Sequence, residues 1–324
     1  MNIYYGCRPD PHINSPHKMN YSSQYNPSAP PSVVHATPVY ANAVPESQYY
    51  AQAEAAQQYY PPQNTALLVS SVAEQERFFS KYEINRKFVP FLNKLSQYRT
   101  VLLCDDSGSM DDIADKDSTS NLTRWEELKN DVKIILEAHN VYGTACDIYF
   151  INRANSQGFL NISSWDQISH AFLEPPAGRT NIVNTLISIW RDYTGTDMGK
   201  NLICHILTDG HPTNNAGQED ISGLDRWLRN RSNIEKTFIS IVLCTDDQDI
   251  ERAYRKMEFI PGRNRGIQNV DVSEDYRGEC RDVRETRGRQ YPFSRGDYIV
   301  KILCGSFDPS IHTIDLPQGC CTLS

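Results

Sequence analysis

The sequence predicts a doubly wound, Rossmann-like α/β domain with a mostly parallel sheet and helices on both faces. Five short apolar runs have the length and the apolar character of buried strands. Segments with helical periodicity separate most of these runs, and such crossovers favour parallel strands whose two faces are both covered. A hydrophobic content of 39% is enough for a sizeable core in a chain of 324 residues. The predicted strands are residues 100–104, 145–152, 158–162, 202–207 and 237–244.

Residues 1–66 differ in composition from the rest of the chain. They hold ten of the 18 prolines and nine of the 18 tyrosines, with only five charged residues and no aliphatic periodicity. A segment of this kind cannot bury enough apolar surface to offset the entropy lost on ordering. We therefore predict a disordered tail rich in Pro, Tyr and Gln. A helical lead-in at residues 67–98, divided at Pro90, is expected to follow it and to pack on the domain.

The main domain is expected to span residues 99–316, with a flexible tail at residues 317–324. The mixed positive and negative charges of residues 263–289 are interpreted as a solvated surface. Apolar periodicity predicts further helices at residues 165–173, 220–230, 249–259 and 298–304.

Three helix starts are predicted from capping residues. Thr123 and Glu126 have the spacing of a capping box, which predicts a helix directly after Thr123. Thr180 is expected to cap a later helix, and Asp297 is expected to cap the last one.

A row of polar side chains directly follows the first predicted strand. Asp105, Ser107 and Ser109 alternate along the chain, so in an extended segment their oxygens face the same side. Hard oxygen donors of this kind suit a small hard cation such as Mg²⁺. Thr180 precedes a predicted helix, and Asp209 follows the fourth predicted strand. Since ligands of open parallel sheets bind beyond the carboxyl ends of the strands, these segments are expected to converge there.

At these residues the chain resembles the von Willebrand factor type A (VWA) domains that carry a metal-ion-dependent adhesion site. That family's site combines D-x-S-x-S after the first strand, a Thr on a middle loop and an Asp after a later strand. Asp105, Ser107, Ser109, Thr180 and Asp209 match this pattern in order. The resemblance implies that the three hydroxyls bind Mg²⁺ or Mn²⁺ directly or through water. The two carboxylates would then act largely behind those hydroxyls.

The resemblance covers residues 66–316 and implies binding rather than catalysis. Neutral hydroxyls leave the charge of a divalent ion poorly neutralised, so a partner protein is expected to supply an Asp or Glu carboxylate. The expected function is that of a cation-dependent adaptor or scaffold. One alternative is a VWA-fold scaffold with an unoccupied site that acts through its disordered arm.

The other alternative is a Mg²⁺-dependent phosphotransferase or hydrolase. Aspartyl phosphotransfer needs a second carboxylate two residues after the nucleophile, and the residue two positions after Asp105 is Ser107. The sequence also lacks a G-x-S-x-G elbow and a phosphate-binding glycine loop. These features argue against an enzyme.

Charge and cysteine placement limit the partners and the compartment. A net charge of −8 and a pI near 5.5 argue against nucleic acid as the main partner. No apolar run approaches the roughly 20 residues that a membrane-spanning helix needs. Four cysteines within predicted strands are interpreted as reduced, buried thiols, which indicates a cytoplasmic protein. They are Cys104, Cys146, Cys204 and Cys244.

The last four residues have the C-a-a-X pattern of a farnesylated protein, with Cys321 as the prenylated residue. One prenyl chain anchors a protein only marginally, so a second signal is needed, and the adjacent Cys320 is a candidate for palmitoylation. Lipidation would attach the protein to the cytosolic face of a membrane. The alternative is two unmodified terminal thiols.

Overall fold

A computed structural model describes residues 72–114, 122–153, 158–194, 199–260 and 265–315. The tail predicted at residues 1–66 and the C-terminal tail predicted at residues 317–324 lie outside these ranges. Within the described ranges, no helix has both the length and the apolar character required to cross a bilayer.

The centre of the domain is a six-stranded sheet with the order β3-β2-β1-β4-β5-β6. All neighbouring strands are parallel except β2 and β3, which are antiparallel. This is the strand order of a doubly wound sheet, whose switch point lies between β1 and β4. The predicted α/β class and mostly parallel sheet are therefore confirmed. The strands are β1 Tyr98–Cys104, β2 Cys146–Phe150, β3 Phe159–Ile162, β4 Asn201–Thr208, β5 Thr237–Leu243 and β6 Val270–Ser273.

Ten α-helices lie in the described part of the chain, several of them a single turn long. Their bounds are α1 Val72–Tyr82, α2 Val89–Leu92, α3 Arg124–Val141, α4 Trp165–Ile168, α5 Ile182–Thr194, α6 Ile221–Asn230, α7 Gln248–Arg255, α8 Tyr276–Arg287, α9 Arg295–Cys304 and α10 Pro309–His312. Short 3₁₀ turns occupy Arg86–Phe88, Asn93–Gln97, Gly108–Asp111, Ser169–Phe172 and Ile234–Lys236.

Both faces of the sheet are covered by hydrophobic cores. Along β1, Leu102 and Cys104 face one core while Val101 and Leu103 face the other, as the two-residue period of a strand requires. Helices α1, α3 and α9 pack in the first core, and α5, α6 and α7 pack in the second. Each fully buried Leu contributes roughly 1.5–3 kcal/mol relative to an exposed one, so two filled cores hold β1 rigidly. All four cysteines predicted to be buried are buried and free of disulfides.

The predicted capping box at the start of α3 is confirmed. The Thr123 hydroxyl accepts from the Glu126 N–H at 3.2 Å, and the Glu126 carboxylate accepts from the Thr123 N–H at 3.2 Å. Two backbone donors at the helix start are thereby satisfied. This cap fixes where α3 begins and therefore where Arg124 lies.

Two other predicted caps are wrong. Helix α5 begins at Ile182, and Asn181 rather than Thr180 accepts from the N–H of Asn184, at 3.4 Å. Helix α9 begins at Arg295, and its cap is Ser294 rather than Asp297, which takes the third position of a capping box. In both cases a neighbouring Asn or Ser is an equally good cap, so residue preference alone did not separate the two positions.

The interpretation of residues 263–289 as a solvated surface is also wrong. This stretch contains β6 and α8, and Asp271 and Glu279 within it are fully buried. Strand β6 is only four residues long and half polar, so it lacks the apolar run on which strand prediction relies.

Candidate functional site

The predicted site residues lie at the carboxyl edge of the sheet, where β1 and β4 run side by side. The Asp105 N–H donates to the Leu207 carbonyl at 2.9 Å, so the pairing of the two strands continues past the last residue of β1. Asp105 and Asp209 are both fully buried. Two loops that are far apart in sequence are therefore held together at the switch point of the sheet.

Asp105 shapes the first loop from within. Its Oδ1 accepts from the Ser107 N–H at 2.9 Å, and its Oδ2 accepts from the Thr208 hydroxyl at 2.6 Å. Burial, together with the nearby carboxylate of Asp209, raises the pKa of Asp105 to about 7. Because both of its oxygens are engaged, Asp105 positions the loop and does not present a free oxygen to a ligand.

A row of hydrogen-bonded oxygens crosses from the first loop to the second. The Ser107 and Ser109 hydroxyl oxygens lie 3.2 Å apart, and the Ser109 hydroxyl donates to Asp209 Oδ1 at 3.0 Å. Ser107 is 2% exposed, while Ser109 is half-buried. The structure thus joins three of the five predicted residues directly, and Asp105 meets the same loop through its contact with Thr208 on β4.

Thr180 reaches this edge through the backbone of its loop. The Gly178 carbonyl accepts from the Gly108 N–H at 3.2 Å, and the Thr180 carbonyl accepts from the Thr213 N–H at 2.8 Å. These bonds tie the loop to both of the others. Within the described part of the chain, the Thr180 hydroxyl makes no hydrogen bond, so its lone pairs remain available.

Asp106 and Asn152 hold the Thr180 loop in place through a chain of hydrogen bonds. Asp106 Oδ1 accepts from the Asn152 N–H at 2.8 Å, and Asn152 Oδ1 accepts from the Arg179 N–H at 3.1 Å. Gly178 has φ +105°, and a Cβ there would lie 2.4 Å from Asn152 Oδ1. Only glycine fits this position. Sequence reasoning assigned no role to Asp106 or Asn152.

Arg124 is the functional candidate that the sequence prediction missed. It is the first residue of α3, and its Nη1 donates to Asp209 Oδ2 at 2.8 Å. The arginine is 9% exposed, and its N–H donates to the Asp112 carbonyl at 2.9 Å. Asp209 therefore accepts a hydrogen bond from Ser109 on one oxygen and from a guanidinium on the other. Adjacency to the predicted cap Thr123 was the only available signal.

Two other acidic groups in the described residues have a spacing that could hold a metal ion, and neither is the predicted site. They are Glu258 with Asp271 and His312, and Glu251 with Glu274 and Asp282. In the first group, His312 Nδ1 contacts Asp271 Oδ1 and Nε2 contacts the Phe259 carbonyl. Both acceptors are oxygens, so both ring nitrogens carry protons. Although burial opposes the charge, the Asp271 carboxylate raises the pKa of His312 to about 9. An imidazolium is not a metal ligand.

Basic side chains already occupy these acidic groups. The Lys301 ammonium is fully buried and lies 3.4 Å from Glu279, 3.5 Å from Asp315 and 3.8 Å from Asp271. Arg255 pairs with Glu274 at 2.7 Å. We define the Lys301 network by its eight members. They are Arg255, Glu258, Asp271, Glu274, Glu279, Lys301, His312 and Asp315.

The second acidic group belongs to the same system of internal charges. Glu274 Oε2 accepts from Arg281 at 3.1 Å, and Asp282 accepts from Arg255 at 2.9 Å. The arginine side chains thus occupy the position that a metal ion would need. Both groups are better described as ion networks than as open metal sites.

Comparison with known proteins adds little to this description. No family model and no curated protein sequence matches the chain. Among solved structures, similarity is found to the manganese-loaded TRAP protein of Plasmodium vivax, with 12% identity and a TM-score of 0.35. The similarity covers 57% of this chain and 71% of that chain. At this level it supports neither a fold nor a function for the protein, and both are argued from its own residues.

Proposed function

We propose that the carboxyl edge of β1 and β4 binds a divalent cation, Mg²⁺ or Mn²⁺, and through it an Asp or Glu carboxylate of a protein partner. The observation that carries the proposal is the row of oxygens from Ser107 through Ser109 to Asp209. The row lies at the switch point of a doubly wound sheet, where such folds bind ligands. The match to a metal-ion-dependent adhesion site supports the same assignment.

The donor set fits a hard cation. Ser107, Ser109 and Thr180 offer neutral hydroxyl oxygens, and hard cations prefer oxygen ligands. Asp209 accepts a hydrogen bond from the Ser109 hydroxyl, which turns the lone pairs of that hydroxyl away from the carboxylate. A bound cation supplies a Lewis-acidic position for an anionic oxygen. The chain orients the hydroxyls and keeps the carboxylates behind them.

Binding fits the site better than catalysis does. The candidate general base is Asp105, whose pKa of about 7 lies in the range that proton transfer favours. Asp105 is fully buried, however, and Ser107 and Thr208 occupy its two oxygens. A substrate cannot reach it without breaking the loop. We therefore infer a cation-dependent adaptor or scaffold rather than a phosphotransferase or hydrolase.

Membrane attachment is a separate part of the proposal. It depends on prenylation of Cys321 and palmitoylation of Cys320, and both residues lie outside the described ranges. The cytoplasmic location is proposed from the reduced, buried cysteines, and attachment to the cytosolic face of a membrane follows only from that lipidation. The binding site neither requires nor excludes it.

The proposal is tested by titrating Mn²⁺ into the full chain and following binding by calorimetry and electron paramagnetic resonance. Wild type should show one saturable site. Ser109→Ala should weaken Mn²⁺ binding by at least about tenfold because it removes a ligand hydroxyl. Ser188→Ala is the matched control, since the Ser188 hydroxyl only donates to the Asn184 carbonyl within α5. Absence of binding by folded wild type, or equal affinities in the two variants, would contradict the proposal.

A further inference from the structure

The site contains a built-in positive charge next to its carboxylates. Asp105 and Asp209 contribute two negative charges once a bound cation favours their ionised forms, and Arg124 contributes one positive charge through its 2.8 Å contact with Asp209. Arg124 and Asp209 are both buried, so solvent screens this pair only weakly. A divalent cation placed among the hydroxyls would therefore meet a net charge of −1 and not −2.

The guanidinium is held by a single strong contact. Its Nη1 reaches Asp209 Oδ2, and its buried Nε has no hydrogen-bond acceptor among the described residues. Among the described residues, the other carboxylate that contacts it is that of Asp112, which lies 3.8 Å from Nη1 and is 72% exposed. A purely structural arginine would be expected to satisfy its donors with a bidentate pair. The charge of Arg124, rather than its hydrogen-bonding geometry, is what the site uses.

We propose that Arg124 sets the net charge of the metal-loaded site at +1 and thereby makes the loaded site select a carboxylate ligand. This inference rests on the proposed function and names the residue that controls carboxylate binding at the metal-loaded site. Without Arg124, a divalent cation would exactly cancel the charges of Asp105 and Asp209, and the loaded site would be neutral. With Arg124, the loaded site keeps a positive charge that only an anionic ligand neutralises.

The inference has two consequences of opposite sign. Arg124 repels the cation, so the chain binds metal alone more weakly than it otherwise would. Arg124 attracts the anion, so metal and carboxylate bind cooperatively, each raising the affinity of the other by the same factor. The site would then fill in the presence of an acidic partner and empty in its absence. A structural role for Arg124 would not produce this pairing of effects.

The test measures Mn²⁺ affinity of the full chain with and without acetate, for wild type, Arg124→Gln and Arg124→Lys. Gln keeps a donor for Asp209 and removes the charge, whereas Lys keeps the charge. Arg124→Gln should bind Mn²⁺ alone about tenfold more tightly than wild type. Acetate should tighten Mn²⁺ binding at least about fivefold in wild type and less than about twofold in Arg124→Gln. Arg124→Lys should follow wild type in both measurements.

The outcomes separate the two proposals. If wild type binds no Mn²⁺ under any condition, the proposed function fails and the inference fails with it. If wild type binds Mn²⁺ but Arg124→Gln binds it equally or more weakly, the inference alone is overturned. Equal behaviour of the Gln and Lys variants also overturns it, because charge would then not be the cause. Acetate must tighten Mn²⁺ binding in wild type. If it does not, the inference is overturned even if Arg124→Gln does not fold.

Discussion

The protein contains two concentrations of buried carboxylates that are neutralised in different ways. In the Lys301 network, Arg255, Lys301 and protonated His312 supply three positive charges against up to five carboxylates. Burial raises the pKa of Glu258 to about 7 and that of Glu279 to about 8, so near neutral pH these two carboxyls bind protons. With these two carboxyls protonated, three negative charges face three positive ones, so the charges of the network balance.

The edge of β1 and β4 is not balanced in this sense. Two carboxylates face one guanidinium, and the Thr180 hydroxyl makes no hydrogen bond within the described ranges. A dense cluster of acids is therefore a poor guide to a metal site. What distinguishes the two regions is whether the chain itself supplies enough positive charge. The Lys301 network does so, although Glu258, Asp271, Glu279 and Asp315 each keep one buried oxygen without a hydrogen-bond partner among the described residues. The β1/β4 edge leaves part of its charge open.

The largest expected effect comes from removing the internal cation of the network. Lys301→Met leaves Asp271, Glu279 and Asp315 buried without their ammonium, and breaking a buried pair in this way costs about 3–5 kcal/mol. The free energy of unfolding from urea titration should fall by that amount. The Mn²⁺ affinity of the protein that remains folded should be unchanged, because the proposed metal site lies at the β1/β4 edge and not in the network.

The matched control is Lys81→Met, which breaks an exposed pair with Glu137. It should cost less than about 1 kcal/mol. A loss of comparable size in the two variants would contradict the description of the network as self-contained. So would a loss of Mn²⁺ binding in folded Lys301→Met.

An intermediate effect is expected where the backbone supports the proposed metal site. Gly178→Ala combines a φ of +105° with a Cβ placed 2.4 Å from Asn152 Oδ1. The variant should lose about 2–3 kcal/mol of stability and should bind Mn²⁺ more weakly, because the Thr180 loop must move.

Gly288→Ala separates the effect of backbone strain at a positive φ from the effect of moving a neighbouring loop. Gly288 has φ +104°, but an added Cβ there meets nothing within 4 Å. This variant should lose about 1 kcal/mol and should keep wild-type Mn²⁺ affinity. If the two glycine variants bind Mn²⁺ equally well, the Thr180 loop is not part of the site.

The last expected effect is a pH dependence of stability that the network should impose between pH 6.5 and 9. In this window unfolded glutamates are already ionised, while folded Glu258 and Glu279, with pKa values of about 7 and 8, still release protons. His312, with its pKa raised to about 9, stabilises the fold fully below pH 6.5 and loses that contribution as the pH rises to 9. All three groups therefore make stability fall as pH rises, by roughly 1.4 kcal/mol per pH unit for each proton that the folded state binds in excess of the unfolded state.

Two other buried histidines oppose this slope only at the lower end of the window. Burial lowers the pKa of His139 to about 4 and that of His205 to about 3, so both are neutral in the folded chain throughout the window. In the unfolded chain they lose their protons near pH 6.5, and about one pH unit higher they no longer affect the slope. The free energy of unfolding, measured by urea titration at several pH values, should fall less steeply with pH for Glu279→Gln than for wild type. Glu76→Gln, on an exposed pair with Arg86, is the surface control. A free energy of unfolding that rises with pH across the window would contradict the predicted sign.

Most of the sheet could be predicted from the sequence because its central strands are continuous apolar runs. Strand β4, for example, is buried along nearly its whole length and reads as such. Strand β6 could not be predicted, because Asp271 is tolerated in it only through Lys301 and His312, which lie later in the chain. Pairing of that kind is a tertiary property, and hydrophobic periodicity carries no information about it.

The site was predictable to the extent that it is local. Asp105, Ser107 and Ser109 are neighbours in the chain, and the rule that strand ends meet at one edge brings Asp209 to them. The predicted capping box places Arg124 at the start of a helix, but no sequence pattern specifies that this helix start lies beside Asp209. That is why the row of oxygens could be predicted and the neighbouring positive charge could not.

The most direct test of the contrast between the two regions is anomalous diffraction at the manganese edge from crystals of the full chain grown with Mn²⁺. A single peak is expected within coordination distance of the Ser107 and Ser109 hydroxyls, with none at Glu258, Asp271 and His312. A peak in the Lys301 network with none beside the two serines would contradict the assignment of the metal site.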